Sequence, residues 1–140
     1  MRRKSLIPVL VSLCILAAAC TGGKTTPTTT TPPPARIAST AKLAIVSPAQ
    51  GAVLKGSSVT VKVSLKGAKI VQPTTTHIVP NEGHLHILID GVLMTMTGSL
   101  STVVPNVKPG HHVLEAEFVA NDHAPFNPPV VALASFDLQG

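Results

Sequence analysis

Aromatic residues are scarce in this chain: among 140 residues there are three Phe and neither Trp nor Tyr. Proteins that bind single-stranded nucleic acid need aromatic stacking platforms beside a basic groove. The basic groove is missing as well. Three of the eleven basic residues, Arg2, Arg3 and Lys4, head an N-terminal leader; without them eight scattered basic residues (seven Lys and Arg36) face six acidic ones, a net charge of +2. Nucleic acid is therefore not an expected partner. Thiols are equally scarce. The two cysteines are Cys14, inside the leader, and Cys20, at its end. The domain that follows can build neither a disulfide framework nor a Cys-based zinc site. Any metal there must be held by His, Met or carboxylates.

Two further absences narrow the class. No stretch carries a sustained 3.6-residue hydrophobic period, which argues against amphipathic helices. No GxSxG elbow, HExxH helix or phosphate-cradling glycine loop is present. Of the six carboxylates only Glu115 and Glu117 share a strand face, without a second pair to complete a cleft. The chain is not expected to be an enzyme.

The leader itself is informative. Arg2, Arg3 and Lys4 precede the apolar run 6–19, LIPVLVSLCILAAA, which stops at Cys20. A basic head, a short apolar run and small residues before a cleavage point describe an export signal; a run of fourteen residues falls short of the twenty or so that a transmembrane helix needs. LAAAC resembles a bacterial lipobox, with Ala17 where the usual leucine stands and Leu16 one place earlier. The resemblance implies a signal peptide over 1–19, lipid on Cys20, and anchoring to the outer face of a bacterial membrane, at the cell surface or in the periplasm.

Residues 21–40, TGGKTTPTTTTPPPARIAST, form a Thr/Pro tether with too few apolar residues to offset ordering entropy. In polyproline geometry it spans up to roughly 60 Å. The domain is expected over 41–140. Strands are predicted at 42–46, 58–66, 84–89, 92–97, 112–119 and 130–138, with turns at SPAQG, Asp90-Gly91 and Pro109-Gly110. In the second, Val59, Val61, Val63 and Leu65 alternate with polar residues, the period of a half-buried strand. Short strands between Gly/Pro turns in about 100 residues point to an all-β, immunoglobulin-like antiparallel sandwich of about seven strands.

Three segments carry a resemblance. GHLHILIDG, PGHHVLEAEFVANDHAP and NPPVVALASFDL resemble a family of exported bacterial Ig-like domains with no assigned activity, through Gly83, His84, His86, Asp90, Pro109, Gly110, His112, Leu114, Asp122, His123, Pro125, Pro128, Pro129 and Val130. Ile87 stands where that pattern has leucine. The resemblance covers about residues 41–140 and implies the fold rather than an activity.

The histidines are the one chemical signal. His84 and His86 alternate with Leu85, Ile87 and Ile89, so the pair shares the outward face of its strand. In an Ig sandwich, the strand over 112–119 runs antiparallel beside the strand over 84–89. The loop 121–129, carrying Asp122 and His123, then lies near His84 and His86. His112 starts that neighbouring strand about 20 Å away, at the other end. His84, His86 and His123 can converge, with His77 a further candidate in the approaching loop and Asp122 or water as an added ligand. Three neutral imidazoles suit Zn²⁺ or Cu²⁺. Met94 and Met96 suit Cu⁺ if the hairpin returns beside the 84–89 strand, though alternating methionines also serve as core filler. The competing readings are a structural or protein-interaction module of the cell envelope, whose histidines order the loop between the 112–119 and 130–138 strands (F and G of an Ig sandwich) by bonding its backbone, and a pH-responsive surface of clustered imidazoles. His112 is expected to support the turn into its strand, in the role of a corner tyrosine, Asp90 to be a turn residue, Asp122 to be structural if it is not a ligand, and His111 to be solvated.

Overall fold

A computed structural model of the chain describes residues 35–72, 74 and 76–140. The expected export signal, Cys20 and most of the expected tether lie outside the described residues. Nine strands form among those described: β1 (Lys42–Ser47), β2 (Ala52–Lys55), β3 (Val59–Lys66), β4 (Lys69–Ile70), β5 (Glu82–Ile89), β6 (Val92–Thr97), β7 (Ser101–Val104), β8 (Gly110–Val119) and β9 (Pro125–Gln139). They make two sheets, β1-β3-β7 and β2-β9-β8-β5-β4, with β6 also paired to β5. The all-β sandwich is the expected architecture. Three strands went unread because β2, β4 and β7 span only four, two and four residues, too short to show alternation. Two pairings, β2 with β9 and β4 with β5, are parallel rather than antiparallel. The chain changes sheets between β1 and β2, and Gln50 pins the crossing by exchanging side-chain hydrogen bonds with Ser135.

Period-two alternation builds the core. Val59, Val61 and Val63 of β3 face Leu85, Ile87 and Ile89 of β5 and Leu114, Ala116 and Phe118 of β8, all buried. Each fully buried Leu, Ile or Phe side chain contributes about 1.5–3 kcal/mol. Phe118 and Phe126 stack with ring centroids 5.3 Å apart and close the core beneath the end where β8 turns into β9. Close backbone approach is needed at that same end. A Cβ on Gly83 would fall on the carbonyl oxygen of Val119, so only glycine fits between β5 and β8 there.

The domain begins earlier than composition suggested. Ile37 packs against the core and its carbonyl accepts the Asn127 N–H at 2.9 Å. Ser39 Oγ and the Thr40 N–H both donate to Asn81 Oδ1, at 2.9 and 2.8 Å. Residues 36–40, assigned to the tether on their Thr/Pro-rich context, thus belong to the folded unit because one apolar residue and several backbone groups find partners on it.

At the opposite end, Asp90 and His112 fasten the β5–β6 turn to the start of β8. Asp90 adopts φ +52°, and its carboxylate accepts the Val113 N–H at 2.9 Å and contacts His112 Nδ1 at 2.7 Å. His112 Nε2 meets the Lys108 carbonyl at 2.8 Å. A carbonyl and a carboxylate can only accept, so both ring nitrogens donate and the ring is an imidazolium. Consistently, the Asp90 hydrogen bond raises the His112 pKa, while the Val113 N–H and then His112 lower that of Asp90.

The signs fix a pH window. A raised histidine stabilises fully below its unfolded value of 6.5 and loses that contribution as pH climbs through the folded value. A lowered carboxylate stabilises above 3.8 and loses its contribution as pH falls through the folded value. Asp90→Asn keeps an oxygen for the Val113 N–H and tolerates positive φ, but it removes the charge and replaces the oxygen facing His112 by an N–H donor. Thermal melts of Asp90→Asn against the native protein should therefore differ most near pH 5 and converge toward pH 9. A difference that does not depend on pH would contradict the ion pair.

Candidate metal-binding site

Strand β5 presents His84 and His86 on the outer face of the six-stranded sheet, opposite Val119 and Glu117 of β8. Outward residues of a sheet are ordinarily wet, yet His84 is 0% exposed. Its cover is the hairpin loop between β8 and β9. The His123 N–H bonds the Ala120 carbonyl at 3.0 Å, and the Ala120 N–H bonds the Ala124 carbonyl at 3.1 Å, closing a three-residue loop over 121–123. This loop is shorter than the 121–129 expected, because Pro125–Gln139 already runs as strand β9. The last loop position, usually glycine, is His123 at φ +62°, in the left-handed region where a side chain costs about 1–2 kcal/mol. That conformation turns its ring onto the β5 pair.

Three imidazole nitrogens converge as a result. His84 Nε2 lies 3.2 Å from His86 Nε2 and 3.0 Å from His123 Nδ1, and all three donor atoms fall within 4.8 Å of one another. His86 is half-buried and His123 exposed, so the cluster opens to solvent on one side. The His84 ring meets the other two edge-on, with centroids 5.1 and 4.6 Å away. His84 Nε2 and His86 Nε2 face imidazole nitrogens, not backbone carbonyls. His77 is not part of this trio; its carbonyl accepts from Asn121 Nδ2 at 3.1 Å.

Electrostatics keep the pair on β5 neutral. Burial, followed by the nearby His123 and His86, pushes His84 down to about 4. Burial and His123 also lower His86. The expectation that these imidazoles titrate near neutral pH does not hold for His84, and desolvation moves His86 in the same direction. Neutral rings offer lone pairs to a cation, but to one another they offer little. His84 Nε2 has one proton or one lone pair and two nitrogen neighbours, so one good hydrogen bond is available for two contacts. A tetrahedral ion with metal–nitrogen distances of about 2.0–2.1 Å separates its ligand nitrogens by about 3.3–3.4 Å. The two separations here lie within a few tenths of an ångström of that edge. Among the described residues His84 Nδ1 and Asn121 Oδ1 are buried without partners, a complementary donor and acceptor when His84 holds its proton on Nδ1.

Asp122, considered above as an added ligand, is committed elsewhere. Its carboxylate pairs with both Nη atoms of the Arg36 guanidinium, Nη2 at 3.0 Å, and takes the Ala124 N–H at 3.3 Å. The Arg36 hydrogen bond holds its pKa below the ordinary value. Arg36 also donates from Nη2 to the Ala124 carbonyl and from Nε to the Pro125 carbonyl, both at 2.9 Å. This residue, missed in the sequence because it sits in Thr/Pro-rich surroundings, clamps the loop that presents His123. Its signal was a lone arginine in residues 25–41, which carry no other charge. His111 lies at the far end with Asp137, its Nδ1 3.1 Å from the carboxylate.

Comparison with known proteins bears on the fold. No protein-family model matches the chain, and no curated protein sequence does either. Among solved structures the chain is similar to the fibronectin(III)-like modules of Clostridium thermocellum CbhA, with a TM-score of 0.52 and 13% identity over 69% of this chain and 94% of that one. It also matches the PKD domain of human KIAA0319, with a TM-score of 0.44 and 7% identity over 78% of this chain and 88% of that one. The chain carries an Ig-like β-sandwich module with a three-histidine cluster at one end.

The left-handed backbone at His123 yields a test. His123→Ala and His123→Gly both remove the imidazole, but only glycine relieves the backbone. Urea unfolding should find His123→Gly more stable than His123→Ala by about 1 kcal/mol. Equal stabilities would mean that the loop does not hold this conformation.

Proposed function

We propose that this protein is a lipid-anchored, extracytoplasmic Ig-like binding module that holds one transition-metal ion, Cu or Zn, through His84, His86 and His123. The observation that carries the reading is the convergence of three imidazole nitrogens on one centre, two of the rings kept neutral by their surroundings. The open side at His123 suits an ion that must be acquired and passed on, since a closed four-ligand cage marks a purely structural metal. A metal-free alternative has the same histidines ordering the loop between β8 and β9. It is weakened by Arg36, which already fastens that loop through Asp122 and two carbonyls. A binding module, rather than an enzyme, is the class this supports.

Calorimetric titration of residues 35–140, which hold the whole described core, tests the metal reading. The native domain should bind one Zn²⁺ or Cu²⁺ with sub-micromolar affinity. His86→Ala and His123→Gly, both at sites outside the core, should weaken binding by about 100-fold or more, since even partners that only orient metal ligands cost 10–100-fold. Native-like affinity in both variants, or no binding by the native domain, would leave the loop-ordering alternative.

Anchoring rests on the lipobox-like LAAAC sequence. Expressed in a bacterium fed labelled palmitate, the full chain should incorporate label and sediment with membranes. Cys20→Ser should abolish both; an unlabelled, freely released native protein would refute the anchor.

A further inference from the structure

The trio leaves a coordination position open toward solvent, and the strand pairing determines what stands beside it. The β5–β6 hairpin returns alongside β5 with Leu85 opposite Thr97, His86 opposite Met96 and Ile87 opposite Thr95. Directly opposed residues on antiparallel strands share a face, with Cβ atoms about 4.5–5.5 Å apart. Thr95 and Thr97 therefore sit over the inward Ile87 and Leu85, and Met96 joins His86 on the outer face. The register shift comes only after Ile87, so it displaces Met94 and spares Met96. Met96 is 48% exposed, free of core packing, and its unbranched side chain has three rotatable bonds.

On its other side His86 faces Glu117 of β8. The two flanking residues are chemically opposite, a soft thioether and a hard carboxylate, and they would select different ions. Glu117 is not among the groups whose donor atoms lie within 4.8 Å of one another. The thioether needs no deprotonation and no desolvation of a charge to reach an ion.

We propose that Met96 is the fourth ligand of the three-histidine site and that it tunes the site toward Cu⁺, giving an N₃S set. This deepens the metal-binding reading and rests on it. Soft thioether ligands favour Cu⁺, whereas Zn²⁺ gains little from one and is served by the imidazoles with water. Met94, exposed on the same strand but displaced by the register shift, does not take part.

The test titrates residues 35–140 anaerobically with Cu⁺ against a competing chelator, and with Zn²⁺ in parallel, for the native domain and for Met96→Leu, Met94→Leu and Glu117→Gln. Met96→Leu should lose about 10-fold or more in Cu⁺ affinity, with Zn²⁺ affinity unchanged. Met94→Leu and Glu117→Gln should bind Cu⁺ as the native domain does. Copper K-edge absorption of the Cu⁺-loaded native domain should contain one sulfur scatterer that disappears in Met96→Leu. Native Cu⁺ affinity in Met96→Leu with no sulfur scatterer would overturn the methionine assignment while leaving the histidine site intact. Weakened binding in Glu117→Gln instead would assign the fourth position to the carboxylate. Failure of the native domain to bind either ion would overturn both proposals together.

Discussion

One buried nitrogen organises the histidine-bearing end of this domain. His84 Nε2 projects from the outer face of a sheet, where water would normally satisfy it, but the hairpin between β8 and β9 covers it. Two further imidazole nitrogens approach within 3.2 Å. Neutral rings cannot make good hydrogen bonds at both contacts around a centre that has one proton or one lone pair to give. Charged rings would repel and would also have to be desolvated. The arrangement is frustrated as a set of hydrogen bonds and complementary to a cation.

What holds this frustrated arrangement together lies around it. Gly83 lets β5 approach the Val119 carbonyl, which brings His84 under the loop. Arg36, arriving from the N-terminal side of the domain, ties Asp122 and the carbonyls of Ala124 and Pro125. The clamp offsets part of the cost of His123 in a left-handed conformation. At the other end of β5 and β8 an imidazolium, His112, bridges Asp90 and the Lys108 carbonyl. The two ends use histidine differently: His112 is charged and paired at one, while burial disfavours charge on His84 and His86 in the cluster at the other.

The residues that revealed the fold in the sequence are those with strict alternation. Val59, Val61, Val63, Leu85, Ile87 and Ile89 read as inward positions and are buried, and Leu65, read with them, is partly buried against the same core. The convergence of His84, His86 and His123 was legible because period two and the antiparallel neighbour set it without side-chain detail. Strand β4, with two residues, carries no period to read, and the parallel course of β2 depends on where the chain changes sheets. Arg36 was hidden because its meaning lies 86 residues away at Asp122. The burial of His84 was unreadable because alternation gives the side of a sheet, not what lies over it. The same limit applies to His77, whose place in sequence suggested the cluster and whose backbone is held by Asn121 instead.

The most direct test of the account is anomalous diffraction, at the metal edge, from crystals of residues 35–140 grown with Zn²⁺. The account predicts one peak, about 2.0–2.1 Å from His84 Nε2, His86 Nε2 and His123 Nδ1. Crystals with no peak at that position, in which the three rings remain in contact with one another, would contradict it.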